Sequence, residues 1–128
     1  MVAWTGHQGS EPFPRLRMAS VESGAAWVPE LLHRLSDAAI PNPRYFKEHP
    51  ADAFREHVCV TPFWEDDVES LVADMPAEHL LLGSDWPHAE GVAEPAEFVR
   101  ESLAWATAGV LRKIARDNAV NLLGVGVP

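Results

Sequence analysis

Three short apolar stretches, each followed by a helical pattern, limit what this chain can become. Residues 15–21 (Arg-Leu-Arg-Met-Ala-Ser-Val), 57–61 (His-Val-Cys-Val-Thr) and 80–84 (Leu-Leu-Leu-Gly-Ser) read as strands. The third is apolar at consecutive positions, as expected for a parallel strand covered on both faces. Alternating strands and helices imply a parallel sheet. A complete (β/α)8 barrel needs about 250 residues, and this chain has 128. Three strands alone would leave two open edges and one bare sheet face. The expected fold is therefore α/β with about three βα units plus a terminal helix, either part of a larger barrel or a standalone small α/β sheet with all its helices on one side. Residues 1–128 form one partial domain, with an irregular leader over 1–14 that is rich in Gly, Pro and polar groups.

The helices announce themselves by period. From Ala26, Trp27, Leu31 and Leu35 recur every fourth residue, flanked by Val28 and Leu32, making one apolar stripe. Pro29 sits in the first turn, where its missing N–H costs least. The helix must stop before Pro41 and Pro43. A short helix is expected over 51–55. Trp64-Glu65-Asp66-Asp67 opens another, with Asp66 and Asp67 favouring its N-terminus and Val68, Leu71 and Val72 inward. A helix starting near Pro95 places Phe98, Val99, Leu103 and Trp105 inward, and Gly109 interrupts it. A last helix over 110–123 presents Ile114, Ala115, Ala119, Leu122 and Leu123, with Gly124 as its C-cap.

Charge removes several function classes. Nineteen acidic against ten basic residues give a formal net charge of −9. Such a surface repels phosphate backbones and anionic lipids, so no nucleic-acid or membrane partner is expected. No apolar run approaches the ~20 residues of a membrane span. The N-terminus lacks the basic-then-apolar order of a signal peptide. The lone Cys59, between Val58 and Val60, reads as a buried small hydrophobe. The expected location is the cytoplasm.

The chemistry-bearing segment is Leu80-Leu81-Leu82-Gly83-Ser84-Asp85-Trp86-Pro87-His88. Asp85 falls where an apolar strand meets a turn. In parallel α/β folds catalytic groups gather at the carboxyl ends of strands. A carboxylate there can ligate a divalent metal or accept a proton. It can equally cap the turn that follows it. Trp86 either walls a pocket or packs in the core, the second being the commoner role. His33 belongs on the solvent side of its helix, and His7, His49, His57 and His79 are not expected to be ligands.

These residues resemble the amidohydrolase-related family, in the branch that includes aminocarboxymuconate-semialdehyde decarboxylase and related aromatic-acid decarboxylases and hydrolases. The last barrel strand of that family resembles Leu82-Gly83-Ser84-Asp85-Trp86-Pro87-His88. Its sixth-strand region resembles residues 13–25 followed by the helix from Trp27. Residues 50–66 resemble its seventh-strand region, and Asn118, Ala119, Leu122, Leu123 and Gly124 its terminal helix. The resemblance implies that the chain is the C-terminal part of a (β/α)8 TIM barrel and that Asp85 is a metal ligand or proton acceptor. It implies a catalytic position for Glu22, where many members carry a histidine. That Glu acts as a base or bonds the N–H groups of the Ser23-Gly24 turn. His88 bonds substrate, orients Asp85, or is an exposed loop residue without a role.

The resemblance further implies a divalent metal, zinc or manganese, in the complete enzyme, and a small, acidic substrate that is hydrolysed or decarboxylated without oxidation. The family also uses a His-x-His pair and a further histidine from earlier strands. No His-x-His occurs here, and a catalytic zinc takes three protein ligands plus water. The isolated chain is thus expected to hold no metal tightly and to have no turnover. The alternative is a non-catalytic α/β module. In either case the open sheet needs a partner, an N-terminal half-barrel or a second copy in a homo-oligomer.

Overall fold

A computed structural model describes residues 2–7, 9–88, 91 and 93–125. Strand β1 (Met18–Ser20) pairs in parallel with β2 (Val58–Val60), with Met18 opposite Val58, Ala19 opposite Cys59 and Ser20 opposite Val60. The third apolar stretch joins the other edge of β2 through a parallel bridge between Val60 and Leu80, and the Leu81 N–H donates to the Val60 carbonyl. It is thus extended but forms less ladder than the expected strand over 80–84. The reason lies in its next donor: the Leu82 N–H bonds the Ile114 carbonyl of a helix at 3.0 Å. One of the two edges expected to be open is therefore partly closed by helical backbone.

Helix α1 (Val2–Gly6) occupies the first part of the leader expected to be irregular over 1–14, while residues 7 and 9–14 carry no helix or strand; Met1 and Gln8 lie outside the described residues. Its Trp4 ring stands edge-on to the buried His57, 5.2 Å between centroids. The His57 Nδ1 faces the Leu16 carbonyl at 2.8 Å. A carbonyl only accepts, so Nδ1 carries the proton. Tertiary packing thus supplies the helix that composition did not announce.

Helix α2 (Val28–Ala39) matches its stripe: Val28, Leu31, Leu32 and Leu35 are all buried. It packs on α3 (Pro50–His57), which extends the expected short helix in both directions. Val58, Val60 and Leu80 point to the same side as these helices and share one core with Phe54, Met75, Leu103 and Ile114. Each fully buried Val or Leu side chain contributes about 1.5–3 kcal/mol. On the opposite sheet face Ala19 is exposed, while Cys59 and Leu81 are buried. Burial pushes the Cys59 thiol above its ordinary pKa, in keeping with an inert side chain.

Helix α4 (Val68–Leu71) is capped by Asp67, whose carboxylate accepts from the Ser70 N–H at 2.9 Å. Helix α5 (Pro95–Ser102) ends earlier than its pattern suggested, so Leu103 and Trp105 reach the core from the turn beyond it. Gly109 lies inside α6 (Ala108–Arg112), not between helices, because Thr107 provides the N-cap. The expected final helix over 110–123 is built from α6, a π-helical turn (Lys113–Asp117) and α7 (Asn118–Leu123). Ile114 is buried, but Ala115 and Leu123 are exposed, contrary to a single inward stripe. The wider turn shifts the register and frees the Ile114 carbonyl for Leu82. Asn118 then turns inward, donating to the carbonyls of Ala77 at 2.7 Å and Leu80 at 2.8 Å. Gly124 closes α7 with φ of 63°, as a C-cap glycine does.

Candidate active site

The carboxyl ends of β1 and of the extended stretch 80–82 open on the same side of the sheet. Glu22 follows β1 and Asp85 follows the third stretch, each by a few residues. Register therefore brings together two groups far apart in the chain. One ligand atom each from Glu22, Asp85 and His88 lie within 4.8 Å of one another. Asp85 is partly buried, and Glu22 and His88 are exposed. The Asp85 Oδ1 is shut off from solvent and has no hydrogen-bond partner among the described residues.

The first loop is held from outside the site. The Asp66 Oδ2 accepts the Ala25 N–H and the Phe63 N–H, both at 2.7 Å, tying the turn after β1 to the turn after β2. The Trp27 indole N–H is shared between the carbonyls of Ser23 and Gly24. Gly24 has φ of 58°, and a Cβ there would sit 2.7 Å from the Phe63 ring, so only glycine suits the turn. Glu22, with φ of 57°, is itself in the left-handed region. Its carboxylate makes no hydrogen bond among the described residues to the Ser23-Gly24 turn, so the turn-bonding alternative fails. The N–H of Ala25 is already committed to Asp66.

The second loop is tighter. At Gly83 a Cβ would come within 2.5 Å of the Thr61 methyl, so glycine lets the third stretch lie against β2. Asp85 has φ of 54°. Aspartate visits that region more readily than most residues, and a non-glycine residue held there often marks function. The His88 N–H donates to the Asp85 carbonyl at 2.9 Å, folding the loop back so that His88 stands beside Asp85. Ala89, Glu90 and Val92, within the loop read as 85–94, lie outside the described residues. Trp86 is 71% exposed, which overturns the expected core packing. It lines a cleft of about 180 Å³ with Val21, Glu22, Phe63 and Asp85.

All three sequence candidates are thus assembled in one place. His33 is on the solvent side, 3.4 Å from Asp37. His79 pairs with Cys59 at 3.8 Å, away from the cleft residues. The residue overlooked from sequence is Asp66, read as a helix-start residue and found as the link that positions the Glu22 turn. Its adjacency to Asp67, the true N-cap, disguised it; Ala25 lies too far along the chain for local spacing to pair them.

The donor set suits a divalent cation: two carboxylates and an imidazole, one oxygen buried and unpartnered. Zinc ligands in a tetrahedron lie about 3.4 Å apart, so a separation of up to 4.8 Å needs modest closing of the exposed Glu22 and His88.

Residues 10–125 match the family described as amidohydrolase. The fold is similar to that of an amidohydrolase from Mycobacterium avium subsp. paratuberculosis K-10, with a TM-score of 0.91 and 38% identity over 96% of this chain and 32% of that one. It is also similar to 5-carboxyvanillate decarboxylase from Sphingomonas paucimobilis, with a TM-score of 0.75 and 20% identity over 98% of this chain and 38% of that one. The second likeness is one of fold. This chain spans about a third of the length of either structure. No curated protein matches it.

Proposed function

The chain belongs to the amidohydrolase family, and from that premise we propose that it forms the C-terminal part of a metal-dependent enzyme. The reaction is hydrolysis, or non-oxidative decarboxylation, of a small acidic molecule. The observation that carries this reading is the Asp85 carboxylate: it follows an apolar extended stretch, lines a cleft, and keeps one buried oxygen without a partner among the described residues.

Zinc or manganese, when bound, supplies Lewis acidity and neutralises charge. Asp85 holds the ion or accepts a proton at its free oxygen. Glu22 places a second carboxylate beside it, fit to act as a base. His88 can bond the substrate or steady Asp85. Trp86, Val21 and Phe63 wall the cleft with apolar surface. An N-terminal half-barrel brings the remaining ligands and covers the sheet, whose β1 has β2 as its one strand neighbour among the described residues. Among those residues no helix is long and apolar enough to cross a membrane.

The test is metal content after reconstitution and gel filtration, for the chain alone and with an amidohydrolase N-terminal half supplied in trans. The reading expects zinc or manganese to be retained, and turnover to appear, only with both halves present. Asp85→Ala should abolish both. Retention of metal unaffected by Asp85→Ala would overturn it. The second reading, a non-catalytic module, draws on the free β1 edge beside the exposed Leu16 and Val21. A stable homo-oligomer without metal in either preparation would favour that reading.

A further inference from the structure

We propose that the cleft shared by Glu22 and Trp86 recognises a positively charged nitrogen group of the substrate, an ammonium or an amidinium, and that Glu22 is the residue that selects it. The inference rests on the reading of this cleft as the active site and deepens it. The small acidic molecule carries a cationic group as well, and that group faces this part of the chain.

Three observations carry it. The charge of the cleft has one sign: among the described residues that line it, Glu22 and Asp85 are the charged ones, and neither Lys nor Arg is present. A ligand carboxylate would meet like charges there, and a ligand cation opposite ones. Next, the Glu22 carboxylate makes no hydrogen bond or ion pair among the described residues, although Glu11, Glu30 and Glu78 each pair with a Lys or Arg. An ionised carboxylate only accepts hydrogen bonds, so the ligand group that satisfies it is a donor. With Asp85 given to the metal in the proposed function, Glu22 supplies the negative charge left for the ligand. Finally, the walls are apolar. Trp86 and Val21 are both more than half exposed, and both line the cleft with Phe63. The face of an aromatic ring carries negative charge, so it attracts a cation and repels an anion. Indole does this more strongly than the other aromatic side chains. Apolar walls with a few converging polar groups are the usual make-up of a small-molecule site.

The protein sets this arrangement before a ligand arrives. The Asp66 carboxylate joins the turn that carries Glu22 to Phe63 by accepting the N–H groups of Ala25 and Phe63. The acidic group and one apolar wall are thus held by the same residue.

The experiment is a titration of the 128-residue chain with benzamidinium and, separately, with benzoate, which share a ring and differ in charge. Both are followed by proton–nitrogen correlation spectra near neutral pH, at constant ionic strength and with a chelator present. Trp86→Phe identifies the Trp86 indole signal. Benzamidinium should shift that signal saturably in the millimolar range, and benzoate should leave it in place. Glu22→Gln should weaken benzamidinium binding about fivefold, the size of an exposed ion pair. Glu22→Lys should invert the preference, so that benzoate becomes the better ligand. Glu65→Gln, an exposed acid outside the cleft, should change nothing, which separates selection by Glu22 from general attraction to a chain of net charge −9. Circular dichroism of each variant confirms that it is folded. Binding of benzoate as tight as that of benzamidinium overturns the proposal, as does no binding of either. A larger loss in Asp85→Asn than in Glu22→Gln assigns the selection to Asp85 and overturns the role of Glu22. If metal is retained with both halves present and the preference for benzamidinium is missing, the enzyme reading stands and this inference falls. If the Glu22-dependent preference is found and metal is never retained, the cationic specificity of the cleft stands and the metal-dependent reading falls.

Discussion

Two aspartates, Asp66 and Asp85, follow neighbouring strands and meet opposite fates. Asp66 spends one carboxylate oxygen on two backbone N–H groups, those of Ala25 and Phe63. Asp85 keeps a buried oxygen with no partner among the described residues and sits at φ of 54°. One carboxylate holds the frame; the other is held by it. Residues of the same type at similar places thus differ in how their oxygens are used, and the hydrogen bonds tell them apart where residue type does not.

The contrast breaks first at Asp66. Asp66→Ala strands two N–H donors and should cost about 3–6 kcal/mol, since bonds to a charged acceptor contribute about 1.5–3 kcal/mol each. Urea denaturation measures this, and an unchanged midpoint would erase the distinction. Asn118→Ala probes the frame on the far side of the third stretch. It removes both bonds to the Ala77 and Leu80 carbonyls and should cost about 1–3 kcal/mol by the same measurement. Glu22→Gly should instead stabilise the fold by about 1 kcal/mol, because glycine adopts its left-handed backbone without strain. Asp85→Asn should leave stability within about 0.5 kcal/mol while removing metal binding. A large loss of stability there would make Asp85 a second Asp66.

The smallest effect is a matter of pH. Burial, aided by the Arg17 charge, holds His79 below its ordinary pKa. Between that lowered value and about 6.5 the unfolded chain binds more protons than the native one, so stability falls as pH drops through this window and is flat above it. His79→Gln should remove that component. Denaturation midpoints between about pH 5 and pH 8 test this, and a slope unaltered in His79→Gln would refute it.

Much of the architecture was legible beforehand. The Trp27–Leu35 stripe, the stops at Pro41 and Pro43, and the glycine at 124 are local signals, and each corresponds to an observed feature of α2 or α7. The three candidate residues, named from strand-end position and family resemblance, lie within 4.8 Å of one another. What was misread shares one cause. Trp86 is apolar and was expected inside, but its loop faces outward from the sheet. Helix α1 has no periodic pattern and forms where Trp4 can rest on His57. The terminal helix looked uniform, yet it contains a π-helical turn, and the Ile114 carbonyl within that turn accepts the Leu82 N–H.

Apolar period, proline and glycine act over one or two helical turns, so the order of strands and helices and the covered face of α2 were present in the order of residues. The meeting of Glu22 with Asp85 was not. It depends on the β1–β2 register, the Val60–Leu80 bridge and the Asp66 carboxylate joining two turns, all contacts between distant segments. Such pairings are chosen by the packing of the whole core, where many side chains must fit at once. That is why Glu22, Asp85 and His88 could be named as candidates from the sequence, while their approach to within 4.8 Å and the unpartnered oxygen of Asp85 came from the folded chain.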